Sequence, residues 1–172
     1  MSNFGDLTNR VLVQLFRRVP WLAEQWAARH RFVEGSTIPW APMRRPARDA
    51  VIALVTTAGV HLKAQPAFDM KDPDGDPSFR AIPSGATRES LTITHKYYDH
   101  SAADLDLNVV LPLERLHELA AEKRVSGVTP LAYSFMGHID GRHLQTLMAE
   151  SAPELARHLQ KDGADAVLLT PA

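Results

Sequence analysis

Residues 50–56 read Ala-Val-Ile-Ala-Leu-Val-Thr, an unbroken apolar run with several β-branched side chains. This pattern is typical of a strand that is covered on both faces, as the inner strands of parallel sheets are. A second apolar run, Ala166–Leu169, has the same character. We therefore predict that Val51–Thr56 and Ala166–Leu169 are parallel strands of one sheet.

Helical patterns fill the second half of the chain between these runs. Pro112 opens a segment with leucines on one face, which predicts a helix at Pro112–Lys123. A helical region follows at Arg142–Glu150, and a capping box that starts at Ser151 predicts a helix at Pro153–Lys161 before Gly163. Because parallel strands need such crossovers, the predicted fold class is α/β, a parallel, Rossmann-like sheet layer with flanking helices.

Regular periodicity fades between His61 and Asn108. Four prolines and two glycines interrupt this region, with short strands predicted only at Phe79–Ile82 and Leu91–Thr94. Irregular segments of this length in a compact domain are usually functional. We therefore expect the side chains that carry chemistry to lie here and in the shorter loops.

The first 48 residues form an arm with its own charge. They contain eight arginines and three acidic residues, whereas residues 49–172 contain eleven Lys and Arg against seventeen acidic residues. Leu7–Arg31 has apolar residues at helical spacing, which predicts one or two amphipathic helices broken near Pro20. Ile38–Pro46 holds three prolines and predicts an extended linker. The predicted division is thus an arm and linker at 1–48 and an α/β domain at 49–172.

The arm is predicted to serve assembly. An amphipathic helix can pack on its own domain, on a second copy of the chain or on a partner subunit. A membrane-surface helix and a nucleic-acid contact stay open as weaker alternatives, and we expect no nucleic-acid partner because no aromatic platform accompanies the arginines.

Composition excludes several classes of function from these 172 residues. The chain has no cysteine, so it offers no disulfide, iron–sulfur cluster or thiolate metal site. The longest apolar stretch, Val51–Leu62, is too short and too interrupted to cross a bilayer, and no secretory signal starts the chain. We expect a cytoplasmic protein without a membrane span.

Four aspartates lie close together at Asp69, Asp72, Asp74 and Asp76. Their spacing is superficially like a calcium loop, but Pro77 holds the position of the required glycine and Pro83 that of the closing glutamate. We therefore predict a self-capped turn and no metal site. A metal-dependent hydrolase stays open as an alternative.

Two further segments hold candidate site residues. Arg80 follows the aspartate loop and could grip a carboxylate with two hydrogen bonds, although a surface ion pair fits equally well. His95, Tyr98 and Asp99 belong to the densest group of titratable side chains, and a histidine oriented by a carboxylate is the simplest acid or base near neutral pH. Tyr133–His138 is a second candidate loop.

Ordered blocks of sequence over roughly residues 50–172 resemble one known family. They are 55–61 (Val-Thr-Thr-Ala-Gly-Val-His), Phe68-Asp69, Gly75–Arg80, His95 with Tyr98-Asp99, Asp106-x-Asn108, Pro112–Leu116, Ser134–Gly137, and Asp162–Asp165 closing on Leu168–Pro171. Together they resemble the selenoprotein B family of the glycine, betaine, sarcosine and D-proline reductases. Ala132 departs from the pattern, because relatives often have histidine there.

The resemblance implies reductive cleavage of a bond at the α-carbon of an amino acid or related small molecule. In that family a selenocysteine, or a cysteine in some members, follows the strand that corresponds to Val167–Pro171, and a further α/β segment comes after it. The chain stops at this point, and selenocysteine is encoded by UGA, so the resemblance implies a longer functional polypeptide whose nucleophile lies just beyond Ala172. It also implies that the residues shown are inactive alone and that a partner subunit could carry a pyruvoyl group; they contain no cofactor of their own.

The loops are then expected to meet at the carboxyl end of the last strand, where α/β sheets place their sites. In this hypothesis Arg80 holds a substrate carboxylate, His95 donates a proton or orients the substrate, and Asp99 fixes the tautomer of His95. His95 and Asp99 are the predicted catalytic residues, and the predicted substrate-binding residues are Thr57, Asp76, Ser78, Arg80, Tyr98, Ser134, Met136 and Gly137. The main alternative is a non-catalytic ligand-binding or assembly module that has kept the fold.

Overall fold

A computed structural model describes Val11, Leu15 and residues 18–29 and 40–172. The chain divides into two compact units, Met1–Pro42 with Lys96–Asp99, and Met43–His95 with His100–Ala172. In the first unit the described residues include helix α1 (Pro20–Arg29), which Pro20 can begin because the first helical N–H needs no intrahelical partner. Of the predicted amphipathic segment Leu7–Arg31, residues 7–10, 12–14, 16–17 and 30–31 lie outside the described residues.

A mixed five-stranded sheet organises the second unit. The described strands are β1 (Val51–Thr56), β2 (Val60–Leu62), β3 (Phe79–Pro83), β4 (Leu91–Ile93), β5 (Gly127–Val128), β6 (Leu131–Phe135) and β7 (Ala166–Thr170). The strand order of the sheet is β3-β6-β1-β5, and β7 pairs with β1. Strands β2 and β4 form a separate antiparallel pair.

Strand register confirms the predicted parallel pair. Residues Ile52 to Thr56 of β1 pair in parallel with Ala166 to Thr170 of β7. Strands β5 and β6 also run parallel to β1, whereas β3 is antiparallel to β6. The predicted α/β fold with flanking helices is therefore confirmed, with one antiparallel edge strand that alternation in the sequence did not reveal.

The helices of this unit are α2 (Ser101–Leu105), α3 (Leu113–Ala121), α4 (His143–Thr146) and α5 (Ala152–Lys161). The predicted capping box at Ser151 is wrong. Ser151 has helical backbone angles and makes no side-chain cap, because a π-helical turn at Leu147–Ser151 joins α4 to α5. A capping residue must leave the helical conformation, which this continuous helix does not allow.

One face of the sheet packs under α5. Val55, Tyr133, Phe135 and Leu155 form a buried cluster there. The Tyr133 hydroxyl donates a 2.7 Å hydrogen bond to the carboxylate of Asp162. Burial and this bond raise the pKa of Tyr133 above its usual value. The phenol is therefore a structural anchor between the sheet and the end of α5.

The last strand is less covered than its sequence predicts. Val167, Leu168 and Leu169 of β7 expose 41%, 39% and 69% of their surface. Among the described strands β7 pairs only with β1, so it lies at an edge of the sheet. The prediction that both faces of this run are covered is wrong for the described residues.

Candidate functional site

Parallel strands bring three loops to one edge of the sheet. Strands β1, β6 and β7 all end at this carboxyl edge, and the antiparallel strand β3 begins there. Thr57 follows β1, Gly137 follows β6, and Ala172 follows β7 by two residues. Ligands of open α/β sheets bind at such edges, so the predicted location of the site rests on an observed topology.

Thr57 holds the ends of these strands together. Its hydroxyl accepts a hydrogen bond from the backbone N–H of Ala172 at 3.1 Å. Its own N–H donates to the carbonyl of Thr170 at 3.1 Å. The loop after β1 is therefore fastened to the segment that follows β7.

Gly137 allows the loop after β6 to lie close to Thr57. Its φ of +91° suits glycine, and a β-carbon there would lie 2.4 Å from the Thr57 carbonyl oxygen and 3.3 Å from His95 Nε2. Only a residue without a side chain permits this approach. We call Thr57, His95, Gly137 and Ala172 the carboxyl-edge cluster.

His95 is neutral in this setting. Its imidazole is half-buried. Burial first, and then the nearby His138 and His100, lower its pKa from 6.5 to about 4. A neutral imidazole can accept a proton or orient a substrate by hydrogen bonds, but it is not a cationic acid at pH 7. Of the two roles predicted for His95, the lowered pKa favours orientation over proton donation as an imidazolium, and both roles stay predictions.

This lowered pKa predicts a loss of stability in acid. Between pH 6.5 and about 4 the unfolded chain binds a proton at His95 that the folded chain does not. Stability therefore rises with pH through this window and falls on acidification, by roughly 2 kcal/mol after allowance for solvent screening. Urea denaturation of the wild type and of His95→Gln at pH 7 and pH 4 measures the difference. Parallel losses in both proteins would contradict the assignment.

Arg80 lies at the same edge but is fully engaged with the protein. Its Nε donates to the carbonyl of Pro66 at 2.8 Å, and its terminal nitrogens reach Ala67, Ser78 and Phe79. Its guanidinium also lies 4.3 Å from the centre of the Phe68 ring. Three strand spacings, about 14 Å, separate β3 from β7. A substrate carboxylate would have to replace existing bonds, so carboxylate binding by Arg80 stays a prediction.

Asp76 and Ser78 complete this network. The Ser78 hydroxyl and backbone N–H both donate to Asp76, and Arg80 Nη2 lies 3.6 Å from the same carboxylate. Burial raises the pKa of Asp76, but these hydrogen bonds and Arg80 outweigh it and hold the pKa below its usual value. The three residues brace their loop, and their predicted role towards a substrate stays untested.

Ser134 and Met136 are buried completely. Ser134 belongs to a row of cross-strand pairs that runs across the sheet near its carboxyl edge: Arg80 with Ser134, Ser134 with Thr56, and Thr56 with Thr170. The Thr170 hydroxyl donates to the carbonyl of Val110 at 2.7 Å. Sequence reasoning missed Thr56 and Thr170, because both close runs that read as purely apolar strands.

Tyr98 and Asp99 belong to the other compact unit. Their predicted roles in substrate binding and in fixing the tautomer of His95 therefore stay predictions. Ala132, which departs from the family pattern described above, is buried and pairs with Ile82 on β3.

The aspartate-rich loop is pinned to the segment after β6. Asp72 accepts hydrogen bonds from Arg142 and, at 3.0 Å, from His143 Nε2. The N–H of Asp74 donates to Asp72 and, with the side chain of His143, holds the pKa of Asp72 below its usual value. Among the described residues, no three His, Asp or Glu side chains come together to hold a metal ion.

A cleft of about 220 Å³ is lined by residues that include Ala86, Asp106, Asn108 and Glu114. The amide nitrogen of Asn108, one of its lining residues, donates to Asp106 at 2.9 Å and to Glu114 at 2.8 Å. None of the predicted site residues lines this cleft. None of the described helices is long and apolar enough to cross a membrane.

Comparison with known proteins connects this site to a family. The sequence profile of the glycine/sarcosine/betaine reductase selenoprotein B family matches residues 10–172. The D-proline reductase subunit gamma of Acetoanaerobium sticklandii is 37% identical over 131 residues, which are 76% of this chain and 52% of that protein. The chain thus spans about half the length of this curated relative. No solved structure matches. The chain belongs to the glycine/sarcosine/betaine reductase selenoprotein B family.

Proposed function

We propose that this chain supplies the residues that bind and orient the substrate in the active site of a reductase component. In this proposal a selenocysteine or cysteine follows Ala172 in the functional polypeptide, and the enzyme cleaves a bond at the α-carbon of an amino acid or related small molecule. The observation that supports it most strongly is the carboxyl-edge cluster, because the chain leaves β7 beside Thr57, Gly137 and His95. The family match supports the reductase assignment independently.

The nucleophile would supply the covalent chemistry. A selenol is ionised near neutral pH, whereas a thiol has a pKa of about 8.5 unless its surroundings lower it. Residues of this chain would do the remaining work. Neutral His95 can orient the substrate or take a proton, and Gly137 lets the backbone after β6 lie close to Thr57 and His95.

In the proposed enzyme this chain works together with partner subunits. The relative from Acetoanaerobium sticklandii is by name one subunit of a reductase. A partner with a pyruvoyl group would bind the substrate amine, as the family resemblance implies. The basic arm at 1–48 offers a region for this association or for pairing with a second copy of the chain.

The codon after Ala172 and the activity of the whole polypeptide test the proposal. We expect UGA or a cysteine codon, followed by an open frame. With its partner subunits and a dithiol reductant, the complete protein should release the reduced product from an amino acid. Replacing the nucleophile by serine should abolish turnover, and His95→Gln should lower kcat by about 100-fold.

The matched control is His117→Gln, since His117 is an exposed histidine on α3. Its turnover should equal that of the wild type. A UAA or UAG codon with no homologous frame downstream, together with tight binding of a small molecule and no turnover, would instead support the ligand-binding module.

A further inference from the structure

His61 is a buried histidine that the proposed function does not use. It lies on β2 and exposes only 3% of its surface. Its Nδ1 donates to the carbonyl oxygen of Leu62 at 2.8 Å, because a carbonyl oxygen only accepts hydrogen bonds. Its Nε2 lies 2.8 Å from the hydroxyl oxygen of Thr94. A hydroxyl can donate or accept, so this second bond forms in either charge state of the ring.

The antiparallel pair of β2 and β4 explains why His61 reaches Thr94. His61 pairs with Thr92 across the two strands, and Thr94 lies two residues further along on the same face. An aromatic side chain is long enough to contact such a diagonal neighbour. Thr94 comes directly after the last residue of β4, Ile93. The bond to His61 therefore holds a residue that lies just beyond the strand.

The main chain of Thr94 is held against Gly59. The N–H of Thr94 donates to the carbonyl of Gly59 at 2.9 Å, and the N–H of Gly59 donates to the carbonyl of Phe135, the last residue of β6, at 2.9 Å. A β-carbon on Gly59 would lie 2.4 Å from the Thr94 carbonyl oxygen and 3.3 Å from the β-carbon of His95. Thr94 is thus restrained through both its main chain and its side chain, and the next residue is His95.

We propose that His61 is a positioning residue, which through its hydrogen bond to Thr94 fixes the direction in which His95 projects into the carboxyl-edge cluster. This rests on the proposed function, in which His95 orients the substrate or takes a proton. A threonine side chain has few rotamers, so a bond to its hydroxyl selects one of them. The His95 ring is then held next to Gly137, where a β-carbon would lie 3.3 Å from His95 Nε2.

His61 also contacts the side chain that packs on Arg80. The rings of His61 and Phe68 meet edge to face with their centres 5.9 Å apart, and the Arg80 guanidinium lies 4.3 Å from the centre of the same Phe68 ring. A substitution of His61 therefore has to keep a ring in place. A substitution of Thr94 changes neither ring, so Thr94 is the more selective probe.

NMR of the folded protein tests the positioning without any substrate. Thr94→Val keeps the shape of the side chain and removes the hydroxyl, whereas Thr94→Ser keeps the hydroxyl. We expect nuclear Overhauser contacts between the His95 ring and the α-protons of Gly137 in the wild type and in Thr94→Ser. Thr94→Val should lose these contacts. Thr92→Val is the matched control and should keep them, since Thr92 pairs with His61 but takes no part in the bond to Nε2.

His61→Phe is the second variant. It keeps a ring against Phe68, removes both hydrogen bonds of the imidazole, and should lose the contacts between His95 and Gly137 as Thr94→Val does. Contacts that persist in both Thr94→Val and His61→Phe would overturn the proposal. Their absence from the wild type, or their loss in Thr92→Val, would do the same.

Kinetics of the complete enzyme, with its partner subunits and a dithiol reductant, test the role. Thr94→Val should lower kcat about tenfold with KM unchanged, and Thr94→Ser should stay within about twofold of the wild type. In a His95→Gln background Thr94→Val should cost nothing further, because Thr94 acts through His95. Equal losses in the two backgrounds would overturn the proposal. A wild-type enzyme without turnover would overturn the proposed function and leave the NMR result standing.

Discussion

Gly137→Ala should destabilise the protein by about 3 kcal/mol or more, because two costs add at this position. The backbone has φ of +91°, which L-residues rarely adopt, and the new β-carbon would meet the Thr57 carbonyl oxygen at 2.4 Å. The clash is with backbone, so a side-chain rotation cannot relieve it. Urea denaturation of the purified variant measures the loss.

Two glycine controls separate these costs. Gly163 has φ of +77°, and a β-carbon added there would have nothing within 4 Å, so Gly163→Ala should show the conformational cost alone, about 1 kcal/mol. Gly85 also has open space and no left-handed φ, so Gly85→Ala should change stability by less than about 0.5 kcal/mol. Equal losses for Gly137→Ala and Gly163→Ala would show that Thr57 does not constrain residue 137.

Gly75→Ala should separate the aspartate-rich loop, residues 72–76, from residues 138–143. The β-carbon would lie 1.7 Å from the His138 carbonyl oxygen, so the bridge to Ile139 cannot persist. We expect a loss of about 3 kcal/mol or more, since positive φ and a backbone clash again combine. Hydrogen exchange should show faster exchange at residues 72–76 and 138–143.

The core provides the internal reference for this measurement. Amides of β1 and β6 should remain protected in Gly75→Ala, because these two strands pair with each other and Gly75 is not a member of the Val55, Tyr133, Phe135 and Leu155 cluster, against which Ile139 packs. Unchanged hydrogen-exchange protection at residues 72–76 and 138–143 would contradict the close approach of Gly75 to His138. Loss of protection at every amide would show that the contact between these two segments stabilises the whole unit.

The parallel pair of β1 and β7 could be predicted from sequence because both strands are continuous apolar runs, although only β1 is largely buried. Strand β3 was predicted as a strand, but its antiparallel pairing with β6 depends on contacts between residues far apart in sequence. Ser151 failed as a cap for a similar reason. Its local pattern fits a helix start, but the helix continues through it.

The site residues also include some that could be recognised from the sequence and some whose contacts could not. Gly137 could be recognised because a glycine beside a strand end predicts close backbone approach, and the structure shows that approach to Thr57. The closed network around Arg80 could not be predicted, since its partners include carbonyl groups that any sequence supplies. His138 lies in a candidate loop that the sequence predicted, but its hydrogen bond to the carbonyl of Pro73 could not be predicted, because the two residues are 65 positions apart in the sequence.

The exposed strand β7 has a consequence for handling the protein. Residues 166–170 read Ala-Val-Leu-Leu-Thr, without charge or proline, and three of these side chains are exposed at an open sheet edge. Uncharged β-prone segments of this kind template the addition of further strands from other molecules. We therefore expect the protein to self-associate at high concentration when no other segment or subunit covers the edge formed by β7.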